Sequence, residues 1–359
     1  MNKPKLSFPR IGDYHVAVNY LISHILDVDV IVPSKITTNT IELGSKYSPD
    51  FVCTPFKYTL GTFIESLSKG ANILIQFGGG CRYGTYAVLQ EAILKDLGYD
   101  FKLYNFVTAS KVNIKRIYNI LKSIDKNFKI HKGLYYLYIT KNMISYMDKV
   151  DIYIRHNIGF EVNKGEFIKI KKEMLDSFSK VKNPFELYFK YKKYFKKIKK
   201  VHINKPKNTL KVGIIGELYT LMEPFSNYFL EEELAKFNIE IERFTNVKYL
   251  LFTNKKITKK ALKNTKEYQL YKMGADATTN IYWAKYLCLN HYDGIIHVKS
   301  SFCTPEISCM PIINKVCNNY NVPIIYFSFD SNTSEVGIKT RLEAFYDMIE
   351  MRRNKWIVI

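Results

Sequence analysis

Three cysteines stand in similar settings along the chain. They occur in Phe51-Val52-Cys53-Thr54-Pro55-Phe56-Lys57, in Gln76-Phe77-Gly78-Gly79-Gly80-Cys81-Arg82-Tyr83-Gly84 and in Ser301-Phe302-Cys303-Thr304-Pro305-Glu306. Each follows a short apolar run that reads as a strand and precedes a helical pattern, so each sits on a strand-to-helix turn. First-turn amides and the helix dipole favour a thiolate there. Pro55 and Pro305 fall at early helical positions, where a missing backbone donor costs nothing. The triple glycine before Cys81 lets backbone approach a bulky group and offers N–H donors to it.

Three thiolates on equivalent turns point to a shared ligand, and an iron–sulfur cluster is the leading chemistry. The competing reading of each cysteine alone is a small buried hydrophobe. Structural zinc normally takes four ligands at close paired spacings such as CxxC, and the sequence has no such pair. Cys53, Cys81 and Cys303 are too far apart for a compact ferredoxin run and must converge in space, across a cleft between domains. Such a set suits a [4Fe-4S] cubane with one iron open to a substrate or a fourth ligand. Cys309, six residues past Cys303, could approach the site but reads better as core, as do Cys288 and Cys317 within helical patterns.

Other residues can support that chemistry. Lys57 and Arg82 lie next to two of the cysteines and can offset cluster charge or meet an anionic substrate; exposed solubilising charge is the alternative. Glu306 can complement its own helix N-terminus or move a proton. With Lys57 and Arg82 it makes up the candidate catalytic set. Glu217 follows a strand end and should face the same cleft. Glu335, Arg341 and Glu343 read as an ion-pair set on the last helix. His15 and His297 have no ligand partner at useful spacing and read as structural.

The elements that must position these residues alternate. Over residues 1–108, β-branched runs at 28–32, 51–52, 73–75 and 101–106 are separated by helical patterns at 14–26, 37–46, 59–68 and 85–97, with Ser34 or Thr37 as a cap. Residues 109–208 change to long helical patterns rich in Lys and aromatics. Their most basic stretch, Leu187 to Lys200, reads as a core-facing aromatic stripe backed by solvated lysines, with a nucleic-acid or membrane-surface helix as the lesser reading. Asn204 to Leu210 is a linker. Residues 209–359 resume the alternation, with strands at 210–215, 239–241, 294–298 and 324–329 and helices at 225–237, 280–289, 306–319 and 338–352; the stretch 249–271 is unassigned. The expected class is α/β: two Rossmann-like parallel-sheet lobes with a helical, Lys-rich middle segment.

With 359 residues, 47% of them hydrophobic, the chain fits two domains with sizeable cores. It contains no apolar run of about 18 residues, so no membrane partner is expected. Met1-Asn2-Lys3-Pro4-Lys5 lacks the apolar region of a secretory signal, and six cysteines without one fit reduced thiols in a cytoplasmic protein. A net charge of +21 suits an anionic partner or reflects a Lys-, Asn- and Ile-rich composition.

At these residues the sequence resembles the acyl-CoA dehydratase activase-related family, within the 2-hydroxyacyl-CoA dehydratase and benzoyl-CoA reductase superfamily. The matching pieces are Phe8-Pro9-Arg10-Ile11-Gly12, Leu43-Gly44-Ser45-Lys46-Tyr47-Ser48-Pro49, Phe51-Val52-Cys53, Gly79-Gly80-Cys81-Arg82, Gly213-Ile214-Ile215-Gly216-Glu217, Cys303-Thr304-Pro305-Glu306-Ile307 and Thr340-Arg341-Leu342-Glu343-Ala344-Phe345. The resemblance implies an oxygen-sensitive iron–sulfur protein with paired domains. It would accept low-potential electrons from a separate ATP-dependent activator and reduce a small substrate, with a CoA thioester as one candidate. Some relatives hold a double cubane, and homo- and hetero-dimers both fit. The chain departs from the family where Asp330-Ser331-Asn332-Thr333 replaces an Asp-Glu-His-Thr run and Met273-Gly274-Ala275-Asp276-Ala277 replaces a Gly-Gly-His segment. Both departures remove histidines that could serve as acids or hydrogen-bond donors near a cluster, and two rival readings stand beside the first: a non-enzymatic iron–sulfur carrier or scaffold, and a basic nucleic-acid-binding protein using the Leu187 to Lys200 face.

Overall fold

A computed structural model describes residues 3–108, 111–249 and 254–357. It comprises two compact units. One takes in the chain up to Ile144 together with Leu175–Leu187, and the other takes in Ser145–Met174 and the chain from Tyr188 onward.

In the first unit the order is β1 (Lys5–Ser7), α1 (His15–Ile25), β2 (Asp29–Val30), α2 (Thr38–Tyr47), α3 (Thr54–Ser68), β3 (Ile73–Gln76), α4 (Tyr86–Asp96) and β4 (Lys102–Asn105). A hairpin follows, β5 (Val107–Thr108) with β6 (Lys111–Val112), and then α5 (Ile114–Ile124). The four-stranded sheet is parallel in the order β2-β1-β3-β4. Period-2 alternation sorts its core: Ile73 and Ile75 pack with Leu6, Phe8, Ile22 and Leu121 on one face, while Leu74 packs with Phe56, Leu60, Phe63 and Leu94 on the other.

Four helices or helix segments connect the sheets: α6 (Ile130–Asn157), α7 (Glu166–Phe178) and α8 (Pro184–Lys199), with a single helical turn at Ile158–Phe160 between the first two. The basic stretch behaves as an amphipathic helix. Tyr191 stacks on Tyr146 and on Phe195 at ring separations of 4.2 and 5.3 Å, Ile198 is fully buried, and the lysines of α8 point outward.

The second sheet is built from β7 (Lys211–Gly216), α9 (Leu218–Met222), α10 (Leu230–Ala235), β8 (Glu240–Arg243), α11 (Asn254–Asn264), α12 (Ala277–Leu289), β9 (Gly294–Ser300), α13 (Thr304–Asn319), β10 (Ile324–Phe329) and α14 (Glu335–Ile357). All its pairings are parallel, in the order β10-β9-β7-β8. Read from the other edge this is second-first-third-fourth, the same order as in the first sheet. The α/β class with two parallel-sheet lobes is therefore what the chain adopts. In each lobe the strand order reverses between the first and third strands, the position where open α/β sheets bind ligands beyond their carboxyl ends.

Local expectations need three corrections. No strand forms at Phe51-Val52; residues 48–53 are a turn between α2 and α3, and Cys53 follows a helix instead of a strand. Pro49 supplies no N–H to a ladder, and Val52 turns back to the Pro49 carbonyl at 3.4 Å. The helix expected over 225–237 is broken because Tyr228 and Phe229 take left-handed conformations, φ 53° and 55°. On α14, Arg341 reaches the Tyr326 carbonyl at 2.7 Å and lies over the Phe327 ring, while Glu335 pairs with Lys339 at 2.7 Å, so these residues do not form one ion-pair set.

The start of α3 is set by unusually close helix packing. A Cβ added to Gly44 on α2 would stand 1.8 Å from the Lys57 carbonyl oxygen, and one added to Gly61 on α3 would stand 1.9 Å from that of Thr40. The two helices thus meet backbone to backbone, which fixes where Cys53 and Lys57 lie. Gly61→Ala is expected to destabilise the protein by about 1–3 kcal/mol through forced separation of α2 and α3, read as a lowered midpoint in urea unfolding with an unchanged slope.

Candidate functional site

In the first lobe, Cys53 is the residue that caps α3 and Cys81 lies on the loop after β3, just before the turn Arg82–Thr85. The Cys53 thiol meets the Tyr86 hydroxyl on α4. The Arg82 guanidinium donates to the Phe51 carbonyl at 3.4 Å. The loops bearing Cys53 and Cys81 are therefore tied to one another and to α4. Tyr86 is held by Phe56 and Tyr83, with ring centroids at 5.0 and 4.5 Å. Lys57, one turn into α3, is buried at 8% exposure, whereas Arg82 is exposed.

In the second lobe, Cys303 occupies the corresponding turn after the third strand and precedes α13. Strand parity puts Ile295, His297 and Lys299 on the face covered by α12 and α13. The residue at the third position of α13 is Glu306, 1% exposed, which brings its carboxylate under that face. Its Oε2 accepts from His297 Nε2 at 2.8 Å and from Asn280 Nδ2 at 2.9 Å. Asn280 also donates to the Gly216 carbonyl at 3.1 Å and accepts from the Gly216 amide at 3.3 Å. Gly216 is obligatory: its φ is 143°, and a Cβ there would stand 1.8 Å from the Val298 carbonyl oxygen. A strand end, two helices and a central strand thus converge on one buried carboxylate.

Sequence reasoning missed His297, which is fully buried beside Glu306. The nine-residue separation across a strand end and a helix start belongs to no fixed motif; only parity with Ile295 could have placed it. Glu306 does more than complement its helix, because its Oε2 accepts from both His297 and Asn280. Glu217 does not turn freely into the crevice: its carboxylate caps α9, accepting from the Tyr219 and Thr220 amides at 2.8 and 2.9 Å. Cys309 packs in the core, as expected, and donates to the Glu306 backbone carbonyl at 3.2 Å.

The donor atoms of His297, Glu306 and Cys309 lie within 4.8 Å of one another, a set that divalent metals use. The His297–Glu306 separation of 2.8 Å is nevertheless that of a shared proton. Two zinc ligands at ordinary bond lengths and tetrahedral angle stand about 3.3 Å apart. With Nε2 donating to Glu306, His297 Nδ1 is left without a hydrogen-bond partner among the described residues.

Around Glu306 burial dominates the electrostatics. Asp276, which precedes α12 as Cys53 precedes α3, is 8% exposed. Burial and the charges of Glu306 and Glu217 push its pKa up to about 8. Burial also raises Glu217, against the hydrogen bonds from Thr220 and Tyr219. It raises Cys309, helped by the Glu306 charge. Lys299 is pulled the other way: burial lowers its pKa, opposed by the charges of Cys303 and Glu306.

The family model described as 2-hydroxyglutaryl-CoA dehydratase, D-component, matches residues 108–349, about two thirds of the chain. The chain belongs to that family. No curated protein matches it. The family match takes in the whole second sheet with Cys303, Glu306 and His297, while Cys53 and Cys81 precede it. Membership gives the chain the affiliation of an acyl-CoA dehydratase component. Among the described residues no helix is long and apolar enough to cross a membrane.

The buried acids give a pH signature. Asp276 has a folded pKa of about 8 against an ordinary 3.8, so the folded state holds its proton more tightly. Its contribution is complete below about pH 4 and is lost as the pH rises to about 8. Asp276→Asn is expected to remove that decline. One pKa unit is worth about 1.4 kcal/mol, so urea unfolding at pH 5 and pH 8 should show the variant gaining more than about 1 kcal/mol on the wild type. Breaking the Glu306 bonds acts differently: His297→Ala strands a buried carboxylate and should cost about 1–3 kcal/mol in the same assay at neutral pH.

Proposed function

We propose that the chain is the iron–sulfur component of an acyl-thioester dehydratase-type system, with Cys53, Cys81 and Cys303 as ligands of a [4Fe-4S] cluster. Support comes first from the family, and then from where each cysteine stands in its own lobe. Cys81 and Cys303 occupy the same turn, after the third strand of a sheet whose order reverses there. Cys53 and Cys303 each precede a long helix, of 15 and 16 residues, whose first-turn amides favour a thiolate.

The donor chemistry fits such a group. The candidate ligands are thiols, and a buried lysine accompanies one candidate ligand in each lobe: Lys57 beside Cys53 and Lys299 beside Cys303. An iron–sulfur cluster, when bound, accepts and passes on single electrons and can offer an iron without a cysteine to a substrate oxygen. A separate ATP-dependent activator would supply those electrons, and a small acyl thioester would be the substrate. In this reading Lys57 and Arg82 balance negative charge in the first lobe. Glu306, with His297 behind it, holds a proton at Oε2 or Nε2 and releases it to the crevice. Burial raises the pKa of both Asp276 and Glu217, which limits the negative charge around that proton.

Anaerobic reconstitution tests the reading. Wild-type protein should take up iron and inorganic sulfide in equal amounts and become brown. Cys53→Ser, Cys81→Ser and Cys303→Ser should each lose most of that iron, whereas Cys288→Ala, a packing cysteine of the second lobe, should retain it. Colourless, iron-free wild-type protein would reject the proposal.

A further inference from the structure

The first lobe sets a phenol against one of its candidate ligand sulfurs. Tyr86 is the first residue of α4, and its hydroxyl meets the thiol of Cys53 at the start of α3, 33 positions earlier in the chain. The ring is held in place from several sides. Phe56 meets it edge-on, with centroids 5.0 Å apart and planes at 87°, and Tyr83 lies against it at 4.5 Å. Tyr86 is 4% exposed and shares its core with Leu60, Phe63 and Leu94, so the ring cannot swing away without opening that core. The sulfur is pinned as well. Arg82 donates to the Phe51 carbonyl on the turn that carries Cys53, and α3 docks backbone to backbone on α2.

Which atom gives the hydrogen depends on the state of the sulfur. A thiol and a phenol can each donate or accept. A thiolate, or a cysteine sulfur bound to a metal, carries no hydrogen and can only accept. Against such a sulfur the Tyr86 hydroxyl is therefore the donor. An O–H donor on a ligand sulfur stabilises negative charge there, and a reduced cluster carries one more negative charge than an oxidised one.

We propose that Tyr86 is the positioning residue for Cys53, whose hydroxyl donates to the ligand sulfur and raises the potential at which the cluster takes up an electron. The inference rests on the iron–sulfur reading given above. Reduction, by the activator or by dithionite in vitro, adds one electron to the cluster. No bond forms or breaks, and Tyr86 keeps its proton. Tyr86 acts through Cys53 and does not touch the substrate. Removing its hydroxyl makes the potential more negative.

The test is a redox titration of anaerobically reconstituted full-length protein, followed by electron paramagnetic resonance, with iron content measured on the same samples. Tyr86→Phe loses one oxygen and keeps the ring, so it should load iron as the wild type does. It should shift the one-electron reduction equilibrium at least about threefold toward the oxidised cluster, on a scale where tenfold is about 59 mV. Placing 3-fluorotyrosine at position 86 keeps ring and hydroxyl but makes the O–H a stronger donor, so the potential should move the other way. That substitution also serves where Tyr86→Phe fails to fold or load. Tyr99→Phe removes a hydroxyl that meets Ser68 at 3.3 Å in the same lobe and should leave the potential unchanged. A loaded Tyr86→Phe protein whose equilibrium moves less than about threefold overturns the role of Tyr86 and leaves the iron–sulfur reading intact. So does a fluorotyrosine protein whose potential stays or falls, or a Tyr99→Phe shift as large as that of Tyr86→Phe. Wild-type protein that binds no iron rejects the parent reading and this inference with it.

Discussion

The second lobe depends on how a fully buried carboxylate is held. A side-chain carboxyl with 1% exposure is costly unless it is hydrogen-bonded, and Glu306 Oε2 accepts from both His297 and Asn280. Each of those partners is itself committed. His297 sits in the middle of β9, paired across the ladder with Ile215 and Tyr326. Asn280 is locked to both backbone groups of Gly216, a residue whose conformation and close approach to Val298 admit no side chain. The register of the central strands, the start of α13 and the end of β7 are thus bound into one arrangement. A slip of one residue in β9 would turn His297 to the opposite face and leave the carboxylate stranded.

The same constraint explains why the crevice is chemically unusual. Glu306 occupies the His297 and Asn280 donors, burial pushes the pKa of Asp276 and of Glu217 up, and Glu217 draws its hydrogen bonds from the first amides of α9. The first lobe solves a related problem with different residues. There, Gln76 at the end of β3 donates to Gln90 at 2.6 Å, and Gln90 donates to Thr59 at 2.7 Å, a neutral network where the second lobe has a charged one. Equivalent topology therefore supports two electrostatic environments. The acid–base groups are concentrated in the lobe that the dehydratase family match covers.

Much of the scaffold was legible in the sequence because it rests on local rules. The runs at Ile73–Gln76 and Gly294–Ser300 are apolar or β-branched enough to be central strands, and the α8 aromatics repeat at helical spacing. Thr37 caps α2 through a reciprocal bond with Thr40, a short-range signal. What escaped depends on partners distant in sequence or on single backbone conformations. The turn at Cys53 looks extended in sequence, but Pro49 and the docking of α2 on α3 leave no strand for it to join. Left-handed Tyr228 and Phe229 have no compositional marker. His297 reads as an isolated histidine until α13 lays Glu306 against it.

Charge shows the same division between what composition reveals and what position decides. A net charge of +21 says little by itself, because most of the lysines line solvated helix faces where a charge costs almost nothing. The informative cations are the ones placed where charge is expensive. Arg155 and Arg243 meet that cost by approaching Glu231. Lys57 and Lys299 bury their stems, at 8% and 5% exposure, yet neither Nζ is among the buried polar atoms left without a partner, so what is buried there is hydrocarbon and the charge itself stays compensated.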